Sequence, residues 1–320
     1  MLRPVSLQAV PAPSSARETG LNPSSSATMP FVATRDFAPM LSPADDSVRS
    51  FDLLADLARD LRPGVIFPVC FDALLCVRQT LRAPEVTTPQ LAGAARVDPL
   101  LCARILRRAN RGRRAEPVTG VRDALARLGA DRAQRVARAV SCGQIGCARQ
   151  LSHVDELSRR LWLHTLRTAA GAFVLARRLT SLDPDEAMTA GLLHDIGAFY
   201  LLDRLARRPS AAFDAQDINA LILEWHESVG ESLLQSLGVP EVLIDAMRDH
   251  EQPRASTGMP RTLSDLVFSA SVLAGGATEL YDDPVCHVSQ RPAPTRERFA
   301  GLLPEIEQVF GVLRRGAMQG

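Results

Sequence analysis

Apolar residues recur at helical intervals along most of this chain. Phe51, Leu54, Leu57, Ala58 and Leu61 form one set, and Val69, Ala73, Leu74, Val77 and Leu81 a second. Spacings of i, i+3, i+4 and i+7 place each set on one helix face. Start and stop signals lie between the sets. Thr87-Thr88-Pro89 supplies an N-cap followed by proline in the first turn, and Leu91 opens a helix that ends near Val97. Asp98 and Pro99 repeat the signal for a helix from Leu100 to Asn110, whose asparagine end suits a left-handed C-cap. Thr119 reads as the cap of a short helix ending at Gly129, and Asp131 as the cap of the next. A long helix is expected from about Asp155 to Leu179, and Asp183 with Pro184 opens another that delivers His194 and Asp195. Asp217 opens a helix carrying Trp225, His226 and Gly230, and Pro240 starts one ending at His250. Leu263 to Leu273 forms a further helix, 284–295 reads as a proline-rich loop, and 297–314 as a terminal helix.

These elements divide the chain. Residues 1–48, rich in Pro, Ser, Ala and Thr, show no sustained periodicity and cannot bury enough surface to offset their ordering entropy, so a disordered leader is expected there. Met29 and Met40 are alternative starts within it. Residues 51–150 read as an N-terminal helical subdomain, 151–275 as a second helical bundle, and 276–320 as a loop and terminal helix. The expected fold is all-α, two packed helical subdomains behind the leader. Aromatic residues make up only 5% of the chain, while Ala, Leu and Arg dominate, which favours helix over sheet.

Charge and cysteine usage narrow the function. The net charge is +1, which gives no global electrostatic reason to expect nucleic acid. All 37 basic residues are arginine, which excludes P-loop lysines, Schiff bases and lysine general bases. No apolar run reaches the ~18 residues of a membrane span, and Pro, Ser and Arg interrupt the N-terminus before a signal peptide can form. Cys70, Cys76, Cys102, Cys142, Cys147 and Cys286 include no CxxC pair. Free thiols in a reducing cytoplasm are therefore expected.

The chemistry concentrates in residues 190–197, which read Ala-Gly-Leu-Leu-His-Asp-Ile-Gly. An imidazole beside a carboxylate suits a divalent cation such as zinc, iron or manganese, and Gly197 lets the chain turn after the pair. Two residues cannot close a metal site, but His164 lies one helix upstream and His226 and His250 lie one and two helices downstream. This arrangement resembles the HD superfamily of metal-dependent phosphohydrolases. It is closest to the HDOD (HD-related output) branch. Asp98, Pro99 and Leu100, Leu106 to Asn110, Leu128 and Gly129, Leu161 to His164, and Trp225 through Gly230, Leu233 and Pro240 to His250 follow that branch in order, over roughly residues 62–275.

The resemblance implies a bacterial signalling module and a ligand set of His164, His194, Asp195, His226 and His250, with Asp195 bridging if two ions bind. It also marks departures. The last Asp ligand of catalytic relatives falls at Ser271, a far poorer ligand for a divalent cation. Asp265 lies six residues away on another helix face. The motif lysine of the HD-GYP type is Ala198, and that type's Gly-Tyr-Pro signature is missing after His250. These losses favour a non-catalytic regulatory protein acting through signalling proteins or a nucleotide second messenger. Its site would lie between the first bundle and the helix bearing His194. The alternative is a metal-dependent phosphohydrolase acting on a nucleotide or cyclic dinucleotide, with Asp195 as the catalytic residue. A third reading, a nucleic-acid-binding regulator, would use the arginines from Arg104 to Arg114. Of these Arg107, Arg108 and Arg111 are the candidate phosphate contacts, but no aromatic residues lie nearby to stack on bases.

Overall fold

The computed structural model describes residues 60, 64–83, 85–112, 116–208, 214–248, 250–251, 258–276 and 293–318. The expected leader, the first apolar set, Cys286 and most of the 284–295 loop lie outside them. Helices α1 (Phe71–Arg82), α2 (Thr88–Ala95), α3 (Pro99–Asn110), α4 (Val121–Leu128) and α5 (Ala130–Cys147) come first, and a 3₁₀ turn over Ala148–His153 leads into α6 (Asp155–Leu179). Next come α7 (Pro184–Leu193), α8 (Ile196–Ala206), α9 (Ala215–Leu237), α10 (Glu241–Met247) and α11 (Leu263–Leu273). The chain closes with α12 (Ala293–Arg298), a 3₁₀ turn at Ala300–Leu302 and α13 (Leu303–Met318). The fold is all-α, with no strand among the described residues.

Several starts follow the capping logic. Thr87 and Gln90 form a reciprocal capping box at α2. Asp98 accepts from the Leu101 N–H at 3.0 Å, and Asp183 caps α7 ahead of Pro184. Other starts and ends differ from expectation. Asn110 stays helical, and its side chain instead clasps the loop, donating to the Val118 carbonyl and accepting from the Val118 N–H, each at 2.9 Å. Gly120, not Thr119, is the N-cap of α4. Gly129 turns the chain at φ 77° so that α5 begins at Ala130, and Asp131 sits inside its first turn, where the helix dipole still favours a carboxylate. Asp214 caps α9, and Asp217 is the third residue of its capping box. Helix α10 stops at Met247, three residues before His250.

Helix α6 is the axis of the bundle. Its 25 residues span about 37 Å, and α7, α11 and α13 all pack on it, while α9 packs on α8. Trp162 is buried on α6 and donates from Nε1 to the Val97 carbonyl at 2.8 Å, tying the axis to the turn between α2 and α3. Asp185, near the start of α7, makes a second tie. It pairs with Arg96 at 2.5 Å and accepts from the Arg122 N–H at 2.9 Å. An exposed ion pair contributes under about 1 kcal/mol; here the carboxylate is buried with a backbone donor, so losing Arg96 would leave a charge stranded inside the fold.

Helix α13 returns to cover α1, α2 and α6. Arg167 lies over the Phe310 ring, Glu305 pairs with Arg177 and Arg178, and the buried Cys76 thiol donates to the Gly316 carbonyl. Cys70, Cys76 and Cys102 are buried free thiols, whereas Cys142 is exposed and Cys147 half-buried. No helix among the described residues is long and apolar enough to cross a membrane.

Candidate metal centre

The turn between α7 and α8 carries His194 and Asp195, and two glycines allow its neighbours to close in. Gly191 lies against α6, where an added Cβ would stand 3.0 Å from the Ala169 Cα and the Thr168 carbonyl oxygen. Gly197 lies against α9, where a Cβ would stand 2.5 Å from the Gly230 nitrogen. Gly197 therefore does not serve as the sharp turn expected from sequence. It sits within α8 and lets two helix backbones touch. Asp195 occupies the N-cap position of α8 but makes no side-chain cap bond. Its carboxylate turns inward instead.

Four imidazoles surround that carboxylate. Asp195 Oδ2 lies 3.1 Å from His194 Nε2 and 3.7 Å from His164 Nε2. Its Oδ1 lies 3.2 Å from His250 Nε2 and 3.8 Å from His226 Nε2. The ligand atoms form two triads, His164–His194–Asp195 and Asp195–His226–His250, each within metal-binding reach, and Asp195 belongs to both. All five residues are buried, the least so being His164 at 6% exposed.

Helix backbones fix the ring orientations. His194 donates from Nδ1 to the Gly191 carbonyl at 2.8 Å, His226 to Ile222 at 2.9 Å, and His250 to Met247 at 2.8 Å. A carbonyl oxygen can only accept, so each Nδ1 holds a proton, which leaves Nε2 as the atom that each ring turns toward Asp195. The Ala274 backbone hydrogen-bonds the His164 ring in a similar way. Carbonyls behind the rings are how metal-ligating histidines are commonly held. Two further facts fit a cation here. His226 Nε2 is buried with no hydrogen-bond partner, and the Nε2 atoms of His164 and His194 face each other at 3.3 Å.

Electrostatics separate the rings. Burial pushes His164 down to about 4, against the pull of Asp195. Burial also opposes charge on His250, but hydrogen bonds to Asp195 and Glu227 outweigh it and hold the ring well above the ordinary imidazole value. Burial would raise Asp195, yet His194 and His250 hold it well below the carboxylate range. In metal-free protein, NMR titration is expected to show His164 neutral to about pH 4 and His250 still protonated above 6.5. Both rings titrating together near the ordinary value would overturn this assignment.

Two residues of the site escaped the sequence reading. Glu227 places Oε1 3.1 Å from His250 Nδ1, and Glu251 places Oε2 3.8 Å from His226 Nε2. Each directly follows a candidate histidine in sequence, and that adjacency was the available signal. Ser271 is buried on α11, which packs on α6. Asp265 is the third residue of the Thr262 capping box and accepts from the Arg261 and Thr262 N–H groups at 3.0 Å. Its carboxylate is committed to the start of α11. Arg107, Arg108 and Arg111 lie elsewhere, in a cleft with Arg104. Between the first bundle and the start of α7, Asp185 pairs with Arg96 and accepts from the Arg122 N–H.

Known proteins give the same picture of the fold. A cyclic di-GMP phosphodiesterase of Pseudomonas aeruginosa is 28% identical over 123 residues, which is 38% of this chain and 29% of that protein. The chain thus matches under a third of that relative's length. A crystal structure of the MmoQ response regulator from Methylococcus capsulatus superposes with a TM-score of 0.54 at 24% identity, covering 72% of this chain and 94% of that one. A fragment of the same regulator gives 0.52 at 23% identity, over 72% and 90%. The HDOD domain pattern matches residues 67–253, which span the first helices, the motif turn and all four histidines, and the chain belongs to the HDOD domain family.

Proposed function

We propose that this chain is a non-catalytic regulatory HDOD protein of the cytoplasm, in which the His–Asp cluster holds a divalent cation as part of the core. It acts through signalling proteins or a nucleotide second messenger. His164, His194 and Asp195 would hold one ion, and Asp195, His226 and His250 a second. Zinc, iron and manganese suit this set of imidazole and carboxylate donors. The observation that carries the reading is burial. Every donor lies inside the bundle, whereas a catalytic metal keeps a position open to substrate. Ser271 in place of a carboxylate, and the commitment of Asp265 to a helix cap, support it.

The second reading, a metal-dependent phosphohydrolase, is favoured by the way Asp195 turns one oxygen toward each triad. A bound cation pair would acidify water and neutralise a phosphate, and the Pseudomonas relative is named for such an activity. The test is to load the protein with manganese, iron or zinc and assay cyclic di-GMP and bis(p-nitrophenyl) phosphate beside Asp195→Asn. Bound metal with no turnover above the variant is expected. Turnover that disappears in Asp195→Asn would establish the hydrolase and end the non-catalytic reading.

A further inference from the structure

Away from the histidines, one stretch of the sequence is unusually rich in positive charge. Residues 104–138 hold eleven arginines against three carboxylates, in a protein whose net charge is only +1. Arg104, Arg107, Arg108 and Arg111 follow one face of α3 and line a cleft of about 330 Å³. Ile66 and, from α5, Val136 and Val140 supply its apolar wall. None of the described residues lining the cleft is acidic.

Compensation of the α3 dipole explains part of this arrangement. Arg107 and Arg108 occupy the last turn, where cations are favoured. It does not explain Arg104, a full turn earlier, where the dipole has faded. Arg104 is partly buried and anchored to the Val65 carbonyl at 2.5 Å. Burial and the neighbouring Arg107 both weigh against its charge. A guanidinium is thus held at a fixed position among like charges, with three more on the same face. Guanidinium forks match phosphate oxygens in pairs, and the apolar wall suits a ring attached to the phosphate. The volume lies within the range of small-molecule sites, and the cleft lacks aromatic residues for stacking a strand of bases.

We infer that the cleft between α3 and α5 binds a phosphate-bearing small molecule of about mononucleotide size, independently of the His–Asp cluster. The experiment is calorimetric titration of the full chain with two probes, adenosine 5′-monophosphate and inorganic pyrophosphate, and with a single-stranded oligonucleotide for comparison, after EDTA treatment, at about 50 and about 200 mM salt. Saturable binding to EDTA-treated protein is expected. Arg108→Gln combined with Arg111→Gln should weaken it at least about tenfold, with Arg159→Gln, a half-buried cation paired with Asp72 outside the cleft, unchanged. Three results would overturn the inference: no saturable binding of either probe; binding abolished by EDTA yet indifferent to the arginine changes; or binding only to an oligonucleotide, falling steeply with salt. The first two return these arginines to the role of solvated surface charge. The third makes the face a nucleic-acid surface.

Discussion

Asp195→Asn protein is expected to lose metal from both triads together, with affinity falling by more than the ~10- to 100-fold typical of changes in residues that only support a ligand. Asp195 is the shared member of the two triads, so no other single residue removes a donor from each. In metal-free protein the same change should lower stability by about 3 kcal/mol. It leaves the buried, charged His250 without the carboxylate 3.2 Å from its Nε2, and breaking a buried pair from one side costs on that order. The two effects are separable. Elemental analysis of folded protein reports the first, and chemical denaturation after EDTA treatment the second. The His250 resonance should also titrate at lower pH in the variant. Undiminished metal content would exclude the proposed ligand set.

Gly197→Ala is expected to be the most damaging change of a single methyl group, destabilising by about 3 kcal/mol or more. The new Cβ would press on the His226 carbonyl oxygen and stand 2.5 and 2.8 Å from the Gly230 nitrogen and Cα. These are backbone atoms of a packed helix and cannot swing aside. Helices α8 and α9 would have to separate, carrying His226 away from Asp195. Gly93→Ala is the matched control. It lies mid-helix in α2 with nothing within 4 Å of the added Cβ, so helix propensity alone should stabilise it, by roughly 0.5–1 kcal/mol. Thermal or urea denaturation of the two variants reads opposite signs. Equal and small effects would mean that α8 and α9 are less closely apposed than described.

The long elements were legible because their signals reinforce one another. Helix α6 runs from Asp155 to Leu179 as its periodicity implies, and α7 begins where Asp183 and Pro184 place it. Short elements were less so, because several adjacent residues can cap and only tertiary context decides among them. Thr119 and Asp131 are good caps by type, yet Gly120 and the positive φ of Gly129 took those positions. The candidate donors were readable as residue types on separate helices. Their burial, the pairing of Glu227 with His250, and the diversion of Asp265 to a cap were not, since each depends on where one helix lies against another.

The carbonyls behind the rings have one more consequence. His194, His226 and His250 each hang from a carbonyl three or four residues earlier in their own chain segment, so the aim of each ring is tied to its local backbone. The geometry of the cluster therefore depends on the rotational phase of each segment. Turning α9 by one residue's worth, about 100° with a rise of about 1.5 Å, would swing the His226 nitrogen away from Asp195 while every internal bond of α9 stays intact. Whatever twists this bundle also changes the donor set at its centre.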